Sequence, residues 1–125
     1  MDISHWHVLI VEDEFDSVQM ISKILQHYGA RVAIAHNGHE CLNLLHTVEP
    51  TFVMMDLALP EMDGWETLRR MRANPSTKHI PVVAMTAYHS ASVAQDAEKA
   101  GFDGYFSKPL DTTKLIHLLA AVLNR

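Results

Sequence analysis

The sequence predicts an α/β fold, a parallel sheet with helices on both faces. Two patterns predict it. Short apolar runs with strand character alternate along the whole chain with segments whose apolar residues recur at gaps of three and four. The strand-like runs are apolar at nearly every position rather than every second one, as in parallel strands buried on both sides. The length of 125 residues allows one domain with one real core.

Each element can be justified in turn. His7-Val8-Leu9-Ile10-Val11 reads as a first strand and runs into Glu12-Asp13. Phe15, Val18, Ile21, Leu25 and Tyr28 then fall at helical spacing, and Gly29 suits the C-terminal cap. Arg31-Val32-Ala33-Ile34-Ala35 is a second strand, followed by the turn signal Asn37-Gly38. Cys41, Leu42, Leu45 and Val48 mark the next helix, which stops before Pro50. Phe52-Val53-Met54-Met55 ends in Asp56, and loop 57–63 follows. Gly64 opens a helix that carries Trp65, Leu68 and Met71 on one face and ends before Pro75. Val82-Val83-Ala84-Met85 runs into Thr86. Ser90 caps an Ala-rich helix reaching Ala100, with Gly101 as its stop. A short fifth strand lies around Tyr105-Phe106 and leads to Ser107-Lys108-Pro109. Asp111 or Thr112 caps a last helix with a core line of Leu115, Leu118, Leu119 and Val122. A second line, Ile116, Ala120 and Leu123, is either a partner surface or the edge of the core stripe.

Composition narrows the function. Hydrophobic residues make up 48% and charged ones 20%, an ordinary balance for a soluble domain. No apolar run approaches the roughly 20 residues of a membrane span, and Met1-Asp2-Ile3-Ser4-His5 has no secretory signal pattern. One cysteine, Cys41, forms no internal disulfide and reads as a buried thiol; a cytoplasmic setting is expected. The net charge of -5 argues against direct contact with a nucleic-acid backbone. Among nine histidines, the pairs His5/His7 and His36/His39 bring no further ligands of a zinc site and read as surface residues.

The chemistry sits at the strand ends. In an open parallel sheet the carboxyl ends of the strands share one edge, and ligands bind there. Glu12-Asp13, Asp56, Thr86 and Lys108 would meet on that edge. Two readings of Glu12-Asp13 are open: ligands for Mg²⁺, a hard cation that prefers oxygen, or acids capping the helix that follows. Asp56 closes a strand apolar enough to be central. Beside two more acids it would suffer like-charge repulsion unless a cation is present. A carboxylate can also act as a nucleophile and form an acyl phosphate, given charge stabilisation on the phosphoryl oxygens. Mg²⁺, the Lys108 ammonium and the Thr86 hydroxyl would supply it.

Val11-Glu12-Asp13-Glu14, Asp56-Leu57-Ala58-Leu59-Pro60-Glu61-Met62-Asp63-Gly64, Thr86-Ala87 and Lys108-Pro109 together resemble the receiver domain of two-component response regulators, over Val8 to about Leu123. The resemblance implies a flavodoxin-like, doubly wound (βα)5 three-layer sandwich with a five-stranded parallel sheet in the order 2-1-3-4-5. It implies Asp56 as phosphoacceptor, and Asp13 as direct Mg²⁺ ligand with Glu12 acting through water. Asp56 and the backbone carbonyl of Ala58 would complete the metal site. Thr86 and Lys108 would bind phosphoryl oxygens, small Ala87 would leave an approach to Asp56, and Tyr105 would be the switch aromatic. Pro109 would follow a cis bond. The implied role is a phosphorylation-dependent switch, not a turnover enzyme, that promotes its own modification. Its donor would be a sensor histidine kinase or phosphotransfer protein, and its target a downstream protein. Output would pass through the face formed by the helix ending at Ala100, the Tyr105 strand and the last helix, as a monomer or a weak homodimer through that face. One receiver domain over 1–125, without an effector domain in this chain, is expected. Ala58 has no side chain to position water and Tyr88 is bulky, so a long-lived acyl phosphate is also expected.

Two other classes compete. A binding module independent of phosphorylation would not need Glu12, Asp13, Asp56, Thr86 and Lys108 together. A flavin-type cofactor binder would want backbone donors and positive dipole ends, not an acid-lined edge.

Overall fold

The apolar runs do form strands. The computed structural model describes residues 2–124; Met1 and Arg125, the ends of the expected 1–125 domain, lie outside the described residues. Strands and helices alternate strictly: β1 (His7–Val11), α1 (Phe15–His27), β2 (Arg31–Ala35), α2 (Gly38–Leu44), β3 (Phe52–Asp56), α3 (Gly64–Ala73), β4 (Val82–Thr86), α4 (Ala91–Ala100), β5 (Gly104–Ser107) and α5 (Leu115–Leu123). All pairings are parallel and the sheet order is β2-β1-β3-β4-β5. This is the flavodoxin-like arrangement expected.

Alternation along each strand divides the core in two. Val8, Ile10, Phe52, Met54, Val83 and Met85 pack with Ile21 and Leu25 of α1 and with Leu115, Ile116 and Leu119 of α5. Leu9, Val11, Val53, Met55, Val82 and Ala84 pack on the other face with Cys41 of α2, Leu68 and Met71 of α3 and Ala97 of α4. Every residue of β3 and β4 is buried. The three layers are therefore α1/α5, sheet, and α2/α3/α4.

The helix ends follow local chemistry, with several departures from expectation. Asn37-Gly38 is not a free turn: the Asn37 side chain accepts the Glu40 N–H at 2.8 Å and caps α2. Glu40 returns the favour by accepting the His36 N–H at 3.1 Å. α2 stops at Leu44, short of Val48, because the chain tightens: the N–H of His46 bonds Asn43 and that of Thr47 bonds Leu44, three residues back. Ser90 caps α4 by accepting the Val93 N–H at 3.1 Å. Neither Asp111 nor Thr112 caps α5. Asp111 instead takes the N–H of Thr113 and the hydroxyl of Thr113 in a preceding turn, and α5 begins at Leu115.

Three expected core residues face out: Phe15 is 72% exposed, Tyr28 41% and Leu118 45%. Phe15 and Tyr28 sit at the two ends of α1, Phe15 as its first residue and Tyr28 as its C-cap. In α5, Ile116 is buried and Ala120 and Leu123 pack against the same cluster, so the second line belongs to the core. The entry to β4 is held by Arg72 of α3. Its guanidinium donates to the carbonyls of Ile80 (2.6 Å) and Gly101 (3.0 Å) and to Asp103 (3.1 Å). Asp103 in turn accepts the N–H of Val82 at 2.8 Å.

Candidate functional site

The pairing register sets the heights of the functional residues. Val11 lies level with Met55, Asp56 with Met85, and Thr86 with Ser107. Glu12, one residue past Val11, is thus level with Asp56. Thr86 stands one residue higher, and Lys108 follows Ser107 on the edge strand. The carboxyl ends of β1, β3, β4 and β5 meet at one place, as the strand-end argument required.

The three acids converge. Glu12, Asp13 and Asp56 each offer an oxygen within 4.8 Å of the others. Glu12 is fully buried and Asp56 is 5% exposed, while Asp13 faces solvent. Oε2 of Glu12 accepts the backbone N–H of Asp13 (3.1 Å) and Glu14 (3.3 Å), which turns its carboxylate inward. Oδ1 of Asp56 accepts the N–H of Ala58 at 3.0 Å. The capping reading of Asp13 is not realised: Glu14 occupies the N-cap of α1, and its side chain makes no cap bond.

Lys108 reaches both buried acids. Its ammonium donates to Oδ2 of Asp56 at 3.1 Å and to Oε1 of Glu12. One cation facing three carboxylates leaves excess negative charge. Burial, and then the neighbouring Asp56, push the Glu12 carboxyl up to about 7 against the pull of Lys108. Burial opposes the charge on Lys108, but its bonds to Glu12 and Asp56 outweigh that and raise its pKa. An all-oxygen donor set with surplus negative charge fits a hard divalent cation.

Thr86 is 3% exposed, and its hydroxyl oxygen accepts the N–H of Tyr88 at 3.0 Å. Its proton therefore remains available for donation. Ala87 is exposed and lines, with Lys108, Pro109 and Leu110, a cleft of about 360 Å³ that faces Ser17 and Met20 of α1. The Lys108–Pro109 bond is cis, as expected. Tyr105 is half-buried and, being level with Ala84, packs on the α2/α3/α4 side of the sheet. Thr86 lies two residues beyond Ala84 and so shares that side. Tyr88 is 76% exposed, so its ring stands in solvent and does not shield Asp56.

Two features escaped sequence reasoning. Gly64 begins α3 directly against the phosphoacceptor candidate: a Cβ there would lie 2.4 Å from the carbonyl oxygen of Asp56. His89 bonds the Tyr105 hydroxyl at 3.1 Å. Asp63-Gly64 marked only the start of α3; nothing local pointed to either contact. His36 is paired with Glu40 on the surface at 3.2 Å, in line with its surface reading. Cys41 is buried, and that burial pushes its thiol up to about 12. Among the described residues no helix is long and apolar enough to cross a membrane.

Comparison with known proteins agrees with this architecture. A family model for the response regulator receiver domain matches residues 8–120. The chain is 36% identical over 117 residues to an uncharacterized 14.6 kDa protein of Leptolyngbya boryana, covering 94% of this chain and 89% of that one. It is 38% identical over 117 residues to the transcriptional regulatory protein ZraR of Klebsiella oxytoca, covering 93% of this chain but only 26% of that protein. Among solved structures, a putative response regulator from Chloroflexus aurantiacus superposes with a TM-score of 0.90 at 29% identity, over 96% of this chain and 98% of the other. The receiver domain of the sensor histidine kinase PA1611 from Pseudomonas aeruginosa, solved with a magnesium ion coordinated in its active-site cleft, superposes with a TM-score of 0.86 at 25% identity, over 96% and 98%. By the family match, the shared sheet order and the convergent strand ends, this chain belongs to the response regulator receiver domain family, the phosphorylation-dependent switches of two-component signalling.

Proposed function

We propose that this chain accepts a phosphoryl group on Asp56, with Mg²⁺ held by Glu12, Asp13, Asp56 and the Ala58 carbonyl. The donor is a phosphohistidine of a sensor histidine kinase or phosphotransfer protein. The observation that carries the reading is the buried Asp56 joined to Lys108 at 3.1 Å, with Glu12 and Asp13 within 4.8 Å. The magnesium-bearing cleft of the related Pseudomonas domain supports the choice of cation. When bound, Mg²⁺ neutralises the acid cluster and draws charge from the phosphoryl oxygens.

The residues divide the work. A carboxylate oxygen of Asp56 attacks phosphorus and forms the acyl phosphate bond. The P–N bond of the donor breaks and its electron pair returns to that imidazole nitrogen; the other ring nitrogen carries the proton, so the ring leaves as neutral imidazole. Lys108 stands beside the attacked group and offsets the charge on one phosphoryl oxygen. Thr86 donates its hydroxyl proton to another. Glu12, fixed by two backbone N–H groups, keeps Lys108 aimed at the site. The domain so promotes its own modification without being a turnover enzyme.

The readout follows from where the charge is added. The acyl phosphate carries roughly -1.5 to -2 charges in place of the single charge of the carboxylate, and Thr86 turns toward it. Tyr105, on the same side of the sheet, borders a cleft of about 360 Å³ against α4 and another of about 280 Å³ against α5. Its movement would reshape the α4-β5-α5 face, through which the domain binds a downstream protein or, weakly, a second copy. To test this, the protein is incubated with Mg²⁺ and a small acyl-phosphate donor and weighed intact. One added phosphoryl group on wild type and none on Asp56→Asn is expected. No adduct on wild type, or an undiminished one on the variant, refutes it.

A further inference from the structure

The side chain that holds Tyr105 comes from a loop, not from the sheet. Nδ1 of His89 lies 3.1 Å from the Tyr105 hydroxyl. The two rings pack with centroids 5.6 Å apart and planes tilted by 39°. An imidazole with its proton on Nε2 accepts through Nδ1, and the phenol donates.

His89 is placed between two fixed points. On one side, Thr86 Oγ1 accepts the N–H of Tyr88 at 3.0 Å. On the other, Ser90 Oγ accepts the N–H of Val93 at 3.1 Å and caps α4. Residues 86–90 therefore tie Thr86, at the end of β4, to the start of α4, and His89 reaches from that loop across to β5.

We propose that His89 is a positioning residue whose bond to the Tyr105 hydroxyl holds the ring in place while Asp56 is unmodified. When Thr86 turns toward a phosphoryl group, it gives up the Tyr88 N–H. The released N–H belongs to the Ala87–Tyr88 peptide, one residue before His89, so the loop shifts at His89 and the bond to Tyr105 is lost. The ring has somewhere to go, since it borders the cleft against Ala94, Ala97 and Glu98 of α4. The inference rests on the switch reading above and deepens it by naming the residue that restrains the switch aromatic. One neutral hydrogen bond shifts a two-state balance by about threefold to tenfold, so removing it should shift the ring by that ratio.

The chain has three tyrosines, so fluorotyrosine-labelled protein gives three fluorine resonances, assigned by Tyr28→Phe and Tyr88→Phe. His89→Ala, His89→Phe and His89→Asn are compared with wild type. Phe keeps ring packing without the acceptor; Asn keeps an acceptor at the Nδ1 position without the ring. Before any donor is added, Ala and Phe should move the Tyr105 resonance toward the position that wild type adopts with Mg²⁺ and the acyl-phosphate donor. Asn should stay with wild type. Urea midpoints matched across the set exclude a general loss of structure. An unmoved resonance in His89→Ala, or equal movement in His89→Asn, overturns the proposal. Intact mass is recorded in parallel. If wild type takes up no phosphoryl group, the switch reading fails, and the restraint is still judged by whether Ala and Phe shift the unmodified resonance and Asn does not.

Discussion

Replacing Gly64 by alanine should damage fold and site together. A Cβ at this position would stand 2.4 Å from the Asp56 carbonyl oxygen, 2.9 Å from Cα of Leu57 and 3.1 Å from the Asp56 carbonyl carbon. Comfortable heavy-atom contacts begin near about 3.5 Å, so roughly 1 Å must open between α3 and the end of β3. All three obstructing atoms are backbone, and no rotamer change relieves them. The N–H of Gly64 also bonds the Leu57 carbonyl at 3.1 Å, which pins the approach. Overpacking costs about 1–3 kcal/mol, and a purely backbone clash belongs at the upper end. Alanine returns up to about 1 kcal/mol through its helix propensity, leaving a net loss near 2 kcal/mol. Gly101→Ala is the control: its nearest neighbour lies 3.7 Å away, but φ is +106°, so the cost there is about 1–2 kcal/mol of backbone strain alone. Urea unfolding gives both losses, and intact-mass kinetics with the acyl-phosphate donor gives the effect on the site. Gly64→Ala should be less stable and slower to take up phosphoryl, while Gly101→Ala should keep the wild-type rate. A Gly64→Ala protein within about 0.5 kcal/mol of wild type and equally fast would refute the reasoning.

Other consequences are as open to measurement. The folded pKa of Glu12, about 7, lies above its ordinary 4.5, so the native state holds an extra proton whose stabilisation is complete below 4.5 and lost as pH rises through 7. Without divalent metal, Glu12→Gln should therefore gain on wild type by up to about 3 kcal/mol between acid and mildly alkaline pH; urea midpoints in EDTA would show this, and a pH-independent gap would contradict it. Arg72→Ala loses bonds to Lys78, Ile80, Gly101 and Asp103 and should cost about 2–3 kcal/mol, with Arg72→Lys recovering less than half because one ammonium cannot span the four acceptors. Unchanged unfolding in Arg72→Ala would remove the clamp from the account. Cys41, with its thiol near 12 and no exposed surface, should resist iodoacetamide in native protein and react once unfolded; rapid native alkylation would contradict its burial. With Ala58 offering no side chain and Tyr88 in solvent, a long-lived acyl phosphate now rests on Ala58 alone; decay within seconds, followed by mass, would count against it.

The strand ends were legible because each functional residue directly follows its own apolar run. Val11 leads to Glu12, Met55 to Asp56, Met85 to Thr86 and Ser107 to Lys108, and a parallel sheet brings those ends to one edge. The helix limits were less legible. Periodicity shows which stripe of α1 faces inward but not how far along the helix burial extends, and Phe15 and Tyr28, at its two ends, lie exposed. In α5 two adjacent apolar lines compete, and the packing of Ile116 against the sheet decides between them. The ties between elements left no local trace. His89 meets Tyr105 across 16 residues, and Arg72 meets Asp103 across 31. Neither spacing carries a helical or strand period, so only the assembled sheet brings the partners together.

Locating the phosphoryl group on the chain tests the central claim most directly. Protein treated with Mg²⁺ and the acyl-phosphate donor is reduced with borohydride, which converts an aspartyl phosphate to homoserine, and then digested for peptide mass analysis. The account predicts homoserine at position 56 and at no other aspartate. An unconverted Asp56, with conversion at Asp13 or Asp63 instead, would contradict it.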